Sequence, residues 1–489
     1  MTSSIDGLVS GMDTTNMINQ LMQVEAVPQN QLKNKISVQN KAVTAYQGVN
    51  TKLAALATAA KAVGSAETWG AAKSTSSSDA AIVTAKAGTP TGSLSFTIDS
   101  VAATHTQTFK DVTKAVGSTT DANTAPVMTG SYMKVLLKDG SEVDVTPENA
   151  SLQSVVNTIN NTANAAYRAA AVQIAPGKYT LQLTATEPGA ASAFATKAAG
   201  GAYMPDGIDL LGAVSTTTKG SDAKLTIGDD ALTGYTVTSA SNTFNDVLPG
   251  MSITVTKKQT DTPVTIGVAN DANAVADKVA AFVEATQAAL TEIRTATATK
   301  TGGNATAGAL AGDAALRGLG EEILDAVADA ARSLGSLSAV GVNLDKTGTL
   351  SFDRDKFLAA FEADPAKTQA YFDKYTEKPH AKANPNAFEP GWDTAEGIAR
   401  KLQTISVTAT EGVLLPTDPT GTIKQGTLGG IIQRRNETIK GLNDQVAAWD
   451  TRLELRKENL QRQFSNLEVA LSKMQQQSSW LAGQLAGLG

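Results

Sequence analysis

The sequence predicts an α+β multidomain protein in which long antiparallel helices at the two ends of the chain enclose inserted β-rich domains. Three observations carry this prediction: helical periodicity at both ends, period-two alternation through the middle, and a length of 489 residues. At ~150 residues per domain, that length corresponds to about three or four domains.

The N-terminal segment carries signals for two successive helices. Asp13 stands where its carboxylate can accept hydrogen bonds from the free amides that begin a first helix. After Pro28, apolar residues recur three, four or seven positions apart with no further proline before Pro90, which predicts one long amphipathic helix. Its apolar positions are Leu32, Ile36, Val43, Tyr46, Leu53, Leu56, Ala60 and Val63.

The C-terminal segment repeats this pattern over a longer distance. Apolar residues recur every seven positions, and no proline follows Pro419. Such a helix would extend ~80 Å at a rise of about 1.5 Å per residue. A second apolar row shifts from three to four residues after the first, which follows the period of a straight helix. The seven-residue series is Ile432, Ile439, Val446, Leu453, Leu460, Leu467, Met474 and Leu481.

Neither terminal helix can bury its apolar stripe alone. In one arrangement the two helices pack together as a coiled-coil leg, with or without further copies of the chain. In the other they dock separately on a globular core, and periodicity does not distinguish the two arrangements. The length of the helices favours the paired leg.

The middle of the chain alternates apolar and polar residues, as half-buried strands do. Asp139-Gly140 lies between two such runs and predicts a hairpin turn. A short helix is predicted over 152–159, and helical spacing returns over 275–293 and 316–334. The predicted strand runs are 92–101, 131–146, 178–186, 223–228 and 252–257.

These changes of pattern divide the chain into four predicted domains. Residues 296–311 and 376–393, rich in Gly and Pro respectively, are expected to be flexible connections. The domains are a terminal helical leg (1–42 and 430–489), a mainly helical domain with short strands (43–70 and 270–429), a β-rich head domain (71–108 and 218–269), and a second β-rich head domain with a short helix (109–217).

Composition limits the chemistry available to the chain. It has no cysteine, which removes disulfides, thiolate nucleophiles and thiolate metal sites. A formal charge of −6 provides no basic face for nucleic acid or for an anionic membrane. No stretch reaches the ~18 apolar residues of a membrane span. The first residues lack the basic and apolar regions of a secretory signal peptide, so if the protein is exported, we expect a route other than the ordinary secretory one.

Few residues could form an active site. His105 and His380 are the two histidines; they fall in different predicted domains and are expected to be ordinary surface residues. The carboxylate pairs at 229–230 and 353–355 lack the spacing of a calcium loop and are expected to be solvated turn residues. We therefore predict no enzyme activity, no bound metal and no cofactor.

Several segments, in the same order along the chain, resemble signatures of the bacterial flagellar filament cap family, also called FliD or hook-associated protein 2. SLQSVVNTINN (151–161) together with KYTLQLTATEPGAASAF (178–194) also resembles the small repeat shared by flagellar hook and filament proteins. The order of these segments is more specific than any one of them. They are GLVSGMDTTNMINQLMQVE (7–25), NTFNDVLPGMSITVTK (242–257), LAGDAALRGLGEEI (310–323), SLSAVGVNLDKTGTLSFDRDKF (336–357) and QRQFSNLEVALSKMQQQSSWL (461–481).

The resemblance implies that the terminal helices form a leg and that the head domains form a ring at the distal end of the flagellar filament. It implies a homo-oligomer of five or six subunits that retains flagellin and promotes its folding. Further implied partners are the hook–filament junction protein and an export chaperone on the C-terminal helix. The implied location is extracellular, reached through the flagellar type III apparatus without a cleaved signal peptide. A hook–filament junction protein and a surface adhesin are the alternatives.

Contacts of the leg are expected at apolar residues of both terminal segments. Aromatic residues on such helical stripes usually anchor packing or interfaces. The expected contact residues are Leu8, Met12, Ile18, Leu21, Met22, Trp449, Phe464, Leu467, Leu471, Met474, Trp480 and Leu481.

Overall fold

The computed structural model describes residues 11, 13–109, 122, 126–194, 208, 211, 214–228, 234–299, 307–379, 387–414, 423 and 425–486. They form two compact units. Unit 1 takes the described parts of 1–68 and 272–489, and unit 2 those of 69–271. Unit 2 is thus inserted in the sequence between two parts of unit 1. The finer division into four domains stays a prediction.

Helices make up most of unit 1, and unit 2 contributes a short one. They are α1 (Thr14–Glu25), α2 (Val27–Val63), α3 (Ala66–Trp69), α4 (Leu152–Asn161), α5 (Ala272–Thr297), α6 (Ala314–Leu334), α7 (Arg354–Ala363), α8 (Pro365–Asp373), α9 (Ile398–Thr410) and α10 (Thr427–Ala486).

Strands make up most of unit 2. They are β1 (Ala72–Ser76), β2 (Ala81–Ala85), β3 (Gly92–Ser100), β4 (Thr104–Phe109), β5 (Met133–Leu136), β6 (Glu142–Val145), β7 (Tyr167–Ala175), β8 (Lys178–Pro188), β9 (Val214–Thr218), β10 (Ala223–Ile227), β11 (Tyr235–Ser239), β12 (Thr243–Asn245), β13 (Met251–Val255) and β14 (Gln259–Asn270). Unit 1 adds two short hairpins, β15 (Val342–Leu344) with β16 (Leu350–Phe352) and β17 (Tyr375–Thr376) with β18 (Thr394–Ala395).

The start of unit 1 follows the local signals of the sequence. The Asp13 carboxylate accepts a hydrogen bond from the Asn16 amide at 2.8 Å, which confirms the expected cap of α1. Pro28 lies in the first turn of α2, where a missing N–H removes no helical hydrogen bond. The chain therefore passes from α1 to α2 with a single break at Ala26.

The core of unit 1 is built around α2, which packs against α5, α9 and α10. The predicted stripe is half-buried at Leu32 and Ile36 and becomes fully buried further along the helix. Leu53, Leu56 and Val63 have no exposed surface. Burial of such side chains stabilises a fold by about 1.5–3 kcal/mol each, so this half of α2 fixes the helix in place.

Unit 2 contains two β modules with separate cores. Module A consists of a five-stranded sheet in the order β1-β14-β3-β10-β11 and a three-stranded sheet in the order β12-β13-β2. Both sheets contribute to a core that includes Phe96, Ile98 and Ile253. Strand pairing is antiparallel, with Leu94 opposite Ile266 in the β3–β14 pair.

Module B consists of the sheet β7-β8-β4-β9, the hairpin β5–β6 and helix α4. Its core includes Met133, Leu152 and Tyr167, each fully buried. Gly140 has φ +82° in the β5–β6 turn, a conformation that glycine adopts without strain. The hairpin predicted from Asp139-Gly140 is therefore confirmed, as is the predicted α+β class with inserted β-rich domains.

Two expectations are wrong where the structure describes the residues concerned. His105 is only 4% exposed, because β4 alternates and turns His105 inward together with Gln107. The described ends of segment 376–393 are packed rather than loose. Phe388 is buried with its ring 5.2 Å from that of Tyr375, and the Asp393 carboxylate accepts hydrogen bonds from two backbone amides.

The glycine-rich segment 296–311 also departs from its expectation in its described parts. Helix α5 continues to Thr297, and the chain then folds back so that the Leu310 amide donates to the Ala296 carbonyl at 2.9 Å. Asp353 caps α7 through the Lys356 amide, as expected for a turn carboxylate. His380 and the pair 229–230 lie outside the described residues. None of the described helices is both long and apolar enough to cross a membrane.

Candidate assembly surface

The two ends of the chain meet as an antiparallel pair of helices. We call residues 14–46 and 427–486 the terminal helix pair. Glu25 Oε1 lies 3.3 Å from Arg456 Nε, and Gln29 donates a hydrogen bond to Asp450. Closer to the start of α10, which we call the base of the pair, Arg435 Nη1 donates to Gln39 Oε1 at 2.8 Å. Because the partners run in opposite order along the chain, the expectation of paired antiparallel ends is confirmed.

A polar anchor fixes the base of the terminal helix pair. The Arg435 guanidinium lies 5.1 Å from the centre of the Tyr46 ring, a cation–π contact between α10 and α2. The Tyr46 hydroxyl donates to Asp313, whose carboxylate also caps α6 through the Leu316 amide. Burial and the hydrogen bond to Asp313 raise the pKa of Tyr46, so the hydroxyl keeps the proton that it donates.

The seam between the paired helices is shallow. Among the described side chains of α10, Leu428 and Leu460 are buried, while Ile439, Val446 and Leu453 are half-buried. The ion pair between Glu25 and Arg456 is largely exposed, and such pairs contribute about 0–1 kcal/mol. Two helices alone therefore cover only part of the apolar surface they carry.

The last nineteen residues of α10, 468–486, extend beyond the described part of α1. Continuing the register of the Glu25–Arg456 pair places Thr14 opposite about residue 467, so these residues add ~28 Å at the usual helical rise. This distal stretch has large apolar side chains with more than half of their surface exposed. They are Val469 (54%), Met474 (65%), Trp480 (64%), Leu481 (56%) and Leu485 (67%).

The contact residues expected from the sequence fall into three groups. Ile18 is buried; Met22, Trp449, Phe464 and Leu471 are half-buried. Leu8 and Met12 lie outside the described residues. The exposed group consists of Leu21, Leu467, Met474, Trp480 and Leu481. The structure thus buries part of the set wholly or partly and leaves part exposed, and a role of either group in assembly stays a prediction.

Sequence reasoning missed a second apolar row that faces outward. Met17, Val24 and Val38 stand at multiples of seven residues along α1 and α2, and are 38%, 71% and 62% exposed. Leu455 and Val469 stand fourteen residues apart on α10 and are also more than half exposed. Their spacing in multiples of seven could have revealed this outward row, but the inward row has more residues and gave the stronger pattern.

The exposed rows define a class of protein: a helical assembly protein with a large β-rich insertion. Exposed apolar rows on a helix pair mark a surface for other protein chains. The described residues contain no group of three His, Asp or Glu side chains arranged to hold a metal ion.

Comparison with known proteins places the chain within a family. A family model described as the flagellar hook-associated protein 2 C-terminus matches residues 220–476, and one described as its N-terminus matches residues 10–105. The chain therefore belongs to the flagellar hook-associated protein 2 family.

Individual relatives agree with this assignment. Flagellar hook-associated protein 2 of Escherichia coli K12 is 23% identical over 494 residues, which cover 98% of this chain and 97% of that protein. Lateral flagellar hook-associated protein 2 of Vibrio parahaemolyticus is 28% identical over 291 residues, which cover 58% of this chain and 63% of that protein.

A solved structure shares the fold. The crystal structure of the flagellar cap protein FliD D1-D2-D3 domains from Escherichia coli has a TM-score of 0.56 and 19% identity, and the match covers 80% of this chain and 99% of that one. As a member of the flagellar hook-associated protein 2 family, the chain has the role of a flagellar filament cap. The junction-protein and adhesin alternatives are not favoured.

Proposed function

We propose that the chain caps the distal tip of the flagellar filament as a homo-oligomeric ring of five or six subunits. The exposed distal stretch of α10 supports this proposal most directly. Burying the exposed half of a Leu, Met or Trp side chain is worth roughly 1 kcal/mol, so its five large apolar residues can contribute several kcal/mol to assembly.

The same surface accounts for the proposed handling of flagellin. A flagellin subunit that reaches the tip is held by apolar contacts with the terminal helix pairs, which retain it while it folds into the lattice. Contacts of this shallow kind can break and re-form as each subunit is added, because each apolar residue contributes only about 1 kcal/mol. Binding to the hook–filament junction protein before the filament grows would use the same rows.

Export is the remaining part of the proposal. The chain would leave the cell through the flagellar type III apparatus without a cleaved signal peptide. An export chaperone would cover the distal stretch of α10 beforehand, since apolar rows of this size promote association with other proteins. The location at the filament tip follows from the cap role.

The test replaces exposed apolar residues of the distal stretch with glutamine. Met474→Gln, Trp480→Gln and Leu481→Gln are combined in one full-length variant. A matched control combines Gln477→Ala, Ser478→Ala and Gln484→Ala, which change exposed polar residues of the same stretch. Each is expressed in a strain of the source bacterium that lacks its own copy.

We expect the wild-type chain and the control to restore filaments. The glutamine variant should release flagellin monomer into the medium, because it lacks the apolar row that holds subunits at the tip. Flagellin in the medium and in filaments is measured by quantitative blotting. Normal filaments with the glutamine variant would show that the distal stretch has no part in capping.

A further inference from the structure

Two chain crossings join module A to module B in unit 2. Residues 101–103 lead from β3 to β4, and residues 219–222 lead back from β9 to β10. The crossings are bound to each other by two backbone hydrogen bonds: the Ala103 amide donates to Ser221 at 2.9 Å, and the Ser221 amide donates back at 3.2 Å. Gly189, at the end of β8, donates to the same Ala103 carbonyl at 3.3 Å.

His105 lies at this junction with its side chain buried. Its Nδ1 accepts a hydrogen bond from the backbone amide of Gly220 at 3.2 Å, so the ring is neutral and carries its proton on Nε2. The ring meets Phe194 edge to face, with centroids 4.9 Å apart. Nε2 is buried and makes no hydrogen bond of ordinary geometry with the described residues.

Gly220 is held close to the histidine. A Cβ on Gly220 would lie 3.1 Å from the His105 Cβ and 2.6 Å from the Gly189 carbonyl oxygen. Only glycine fits this approach without displacing backbone. The second crossing is therefore fixed by close packing and by one hydrogen bond that depends on the lone pair of His105 Nδ1.

We propose that His105 is a proton-sensitive tie between the two crossings, which loosens the junction of the β modules when the imidazole is protonated. A proton on Nδ1 removes the acceptor of the Gly220 amide and leaves two N–H groups facing one another. It also leaves a positive charge against Phe194 in a buried site, which is costly without a partner. Release of the crossing at 219–222 lets the ring reach water. This inference rests on the fold of unit 2 and is independent of the cap function.

Among the described residues, no charged group contributes to the pKa shift of His105. Burial lowers the pKa of His105, and the backbone carbonyl of Phe194 opposes that shift without cancelling it. That carbonyl already accepts from Gln107 Nε2 at 3.3 Å. Strand β4, strand β9 and the turn at 189–194 contain no other titratable side chain. The charged groups on the remaining adjoining elements are Lys178 and Glu187 on β8 and Lys219 and Asp222 on the second crossing.

The direction of the pH dependence follows from the depressed pKa. Between the folded pKa and the unfolded value near 6.5, the unfolded state binds more protons than the folded state. The contribution of His105 to stability is therefore present above about pH 6.5 and is lost as pH falls through the folded pKa. The equilibrium constant for opening the junction rises by at most about tenfold per pH unit in this window.

The test uses two measurements on the full-length protein. Labelling histidine with ¹³C gives two ring signals, because the chain has only two histidines, and the variant His380→Gln assigns them. Hydrogen exchange of the peptide that contains 219–222 is measured at about pH 7 and pH 5, with correction for the intrinsic effect of pH. In the matched variant His105→Asn, Oδ1 takes the place of Nδ1 as acceptor and does not titrate.

We expect His105 to titrate below 6.5 and the Gly220 amide to exchange faster at the lower pH, by at most about tenfold for each pH unit below 6.5. His105→Asn should show no such acceleration. A pKa of His105 at or above 6.5, measured in the wild-type chain, would overturn the proposal whether or not the variant folds. Equal acceleration in the wild type and in His105→Asn would overturn it as well.

Discussion

Leu460 and Leu481 occupy the same seven-residue row of α10 but stand in opposite environments. Leu460 is 8% exposed at the seam of the terminal helix pair, whereas Leu481 is 56% exposed in the distal stretch. Replacing each with alanine removes the same atoms from the same helix. The pair of variants therefore separates packing within one chain from packing between chains.

Leu460→Ala should weaken the terminal helix pair in a dilute monomer. Buried Leu→Ala changes cost about 2–5 kcal/mol, and this shallow seam belongs at the lower end, about 2 kcal/mol. Local opening of α10 near residue 460 would then be roughly 30-fold more frequent, and amide exchange there faster by the same factor. Leu481→Ala should change the stability of the monomer by less than about 0.5 kcal/mol, because its side chain is already largely in water.

For assembly, Leu481→Ala should have the larger effect of the two variants. Each copy with Leu481→Ala loses roughly 1 kcal/mol of intermolecular burial, so association should need about fivefold more protein. Hydrogen exchange by mass spectrometry reports the first effect, and light scattering over a concentration series reports the second. Equal exchange in the two variants, or unchanged assembly in Leu481→Ala, would refute the division of the row into an internal and an external part.

Three further changes test the fold. Asp13→Ala removes the cap of α1 and should cost about 1 kcal/mol, seen as roughly fivefold faster exchange in its first turn alone; unchanged exchange would contradict the cap. Arg400→Met removes the side chain that donates to the Gly64 carbonyl at the end of α2. Urea titration should show that the free energy of unfolding of unit 1 falls by about 2–3 kcal/mol. An unchanged free energy of unfolding would show that the contact is dispensable. Gly220→Ala places a Cβ 2.6 Å from a backbone oxygen and should lower the melting temperature of unit 2. The control Gly130→Ala, where the atom nearest to the new Cβ is 3.7 Å away, should not lower it. Equal melting temperatures of the two variants would argue against close packing at Gly220.

The elements that could be predicted from sequence are those in which a regular spacing of apolar residues determines the structure without help from distant parts of the chain. Helix α2 keeps its apolar spacing over 37 residues, and α10 over 60, so local sequence and packing demand the same structure. The strands of unit 2 alternate clearly because each sheet has one face on a core. Turn chemistry at Asp139-Gly140 predicted one hairpin, which the structure contains.

Features that depend on distant contacts could not be predicted. Strand β4 has the sequence THTQTF, in which His105 and Gln107 resemble surface residues, yet both face the interior. Prolines near 376–393 suggested a loose connection, but packing of Phe388 against Tyr375 and Arg400 depends on residues elsewhere in the chain. In both cases the deciding partner lies outside the segment itself, where the periodicity of the segment gives no information.

Two helices cannot cover all the apolar rows that the terminal helix pair presents. The inward row is only half covered, and the outward row at Met17, Val24 and Val38 faces solvent. A long helix gains most of its stability in water from tertiary packing. None of the described residues covers the distal stretch of α10, and we predict that a helix or sheet of another chain does so. Trp480 stands in that stretch and reports which chain supplies it. If its fluorescence, isolated by difference from Trp480→Phe, shifts to the blue as the protein self-assembles without flagellin, copies of the same chain cover the row. If the shift requires added flagellin, the filament subunit covers the row, and the proposed ring must be held together by other contacts.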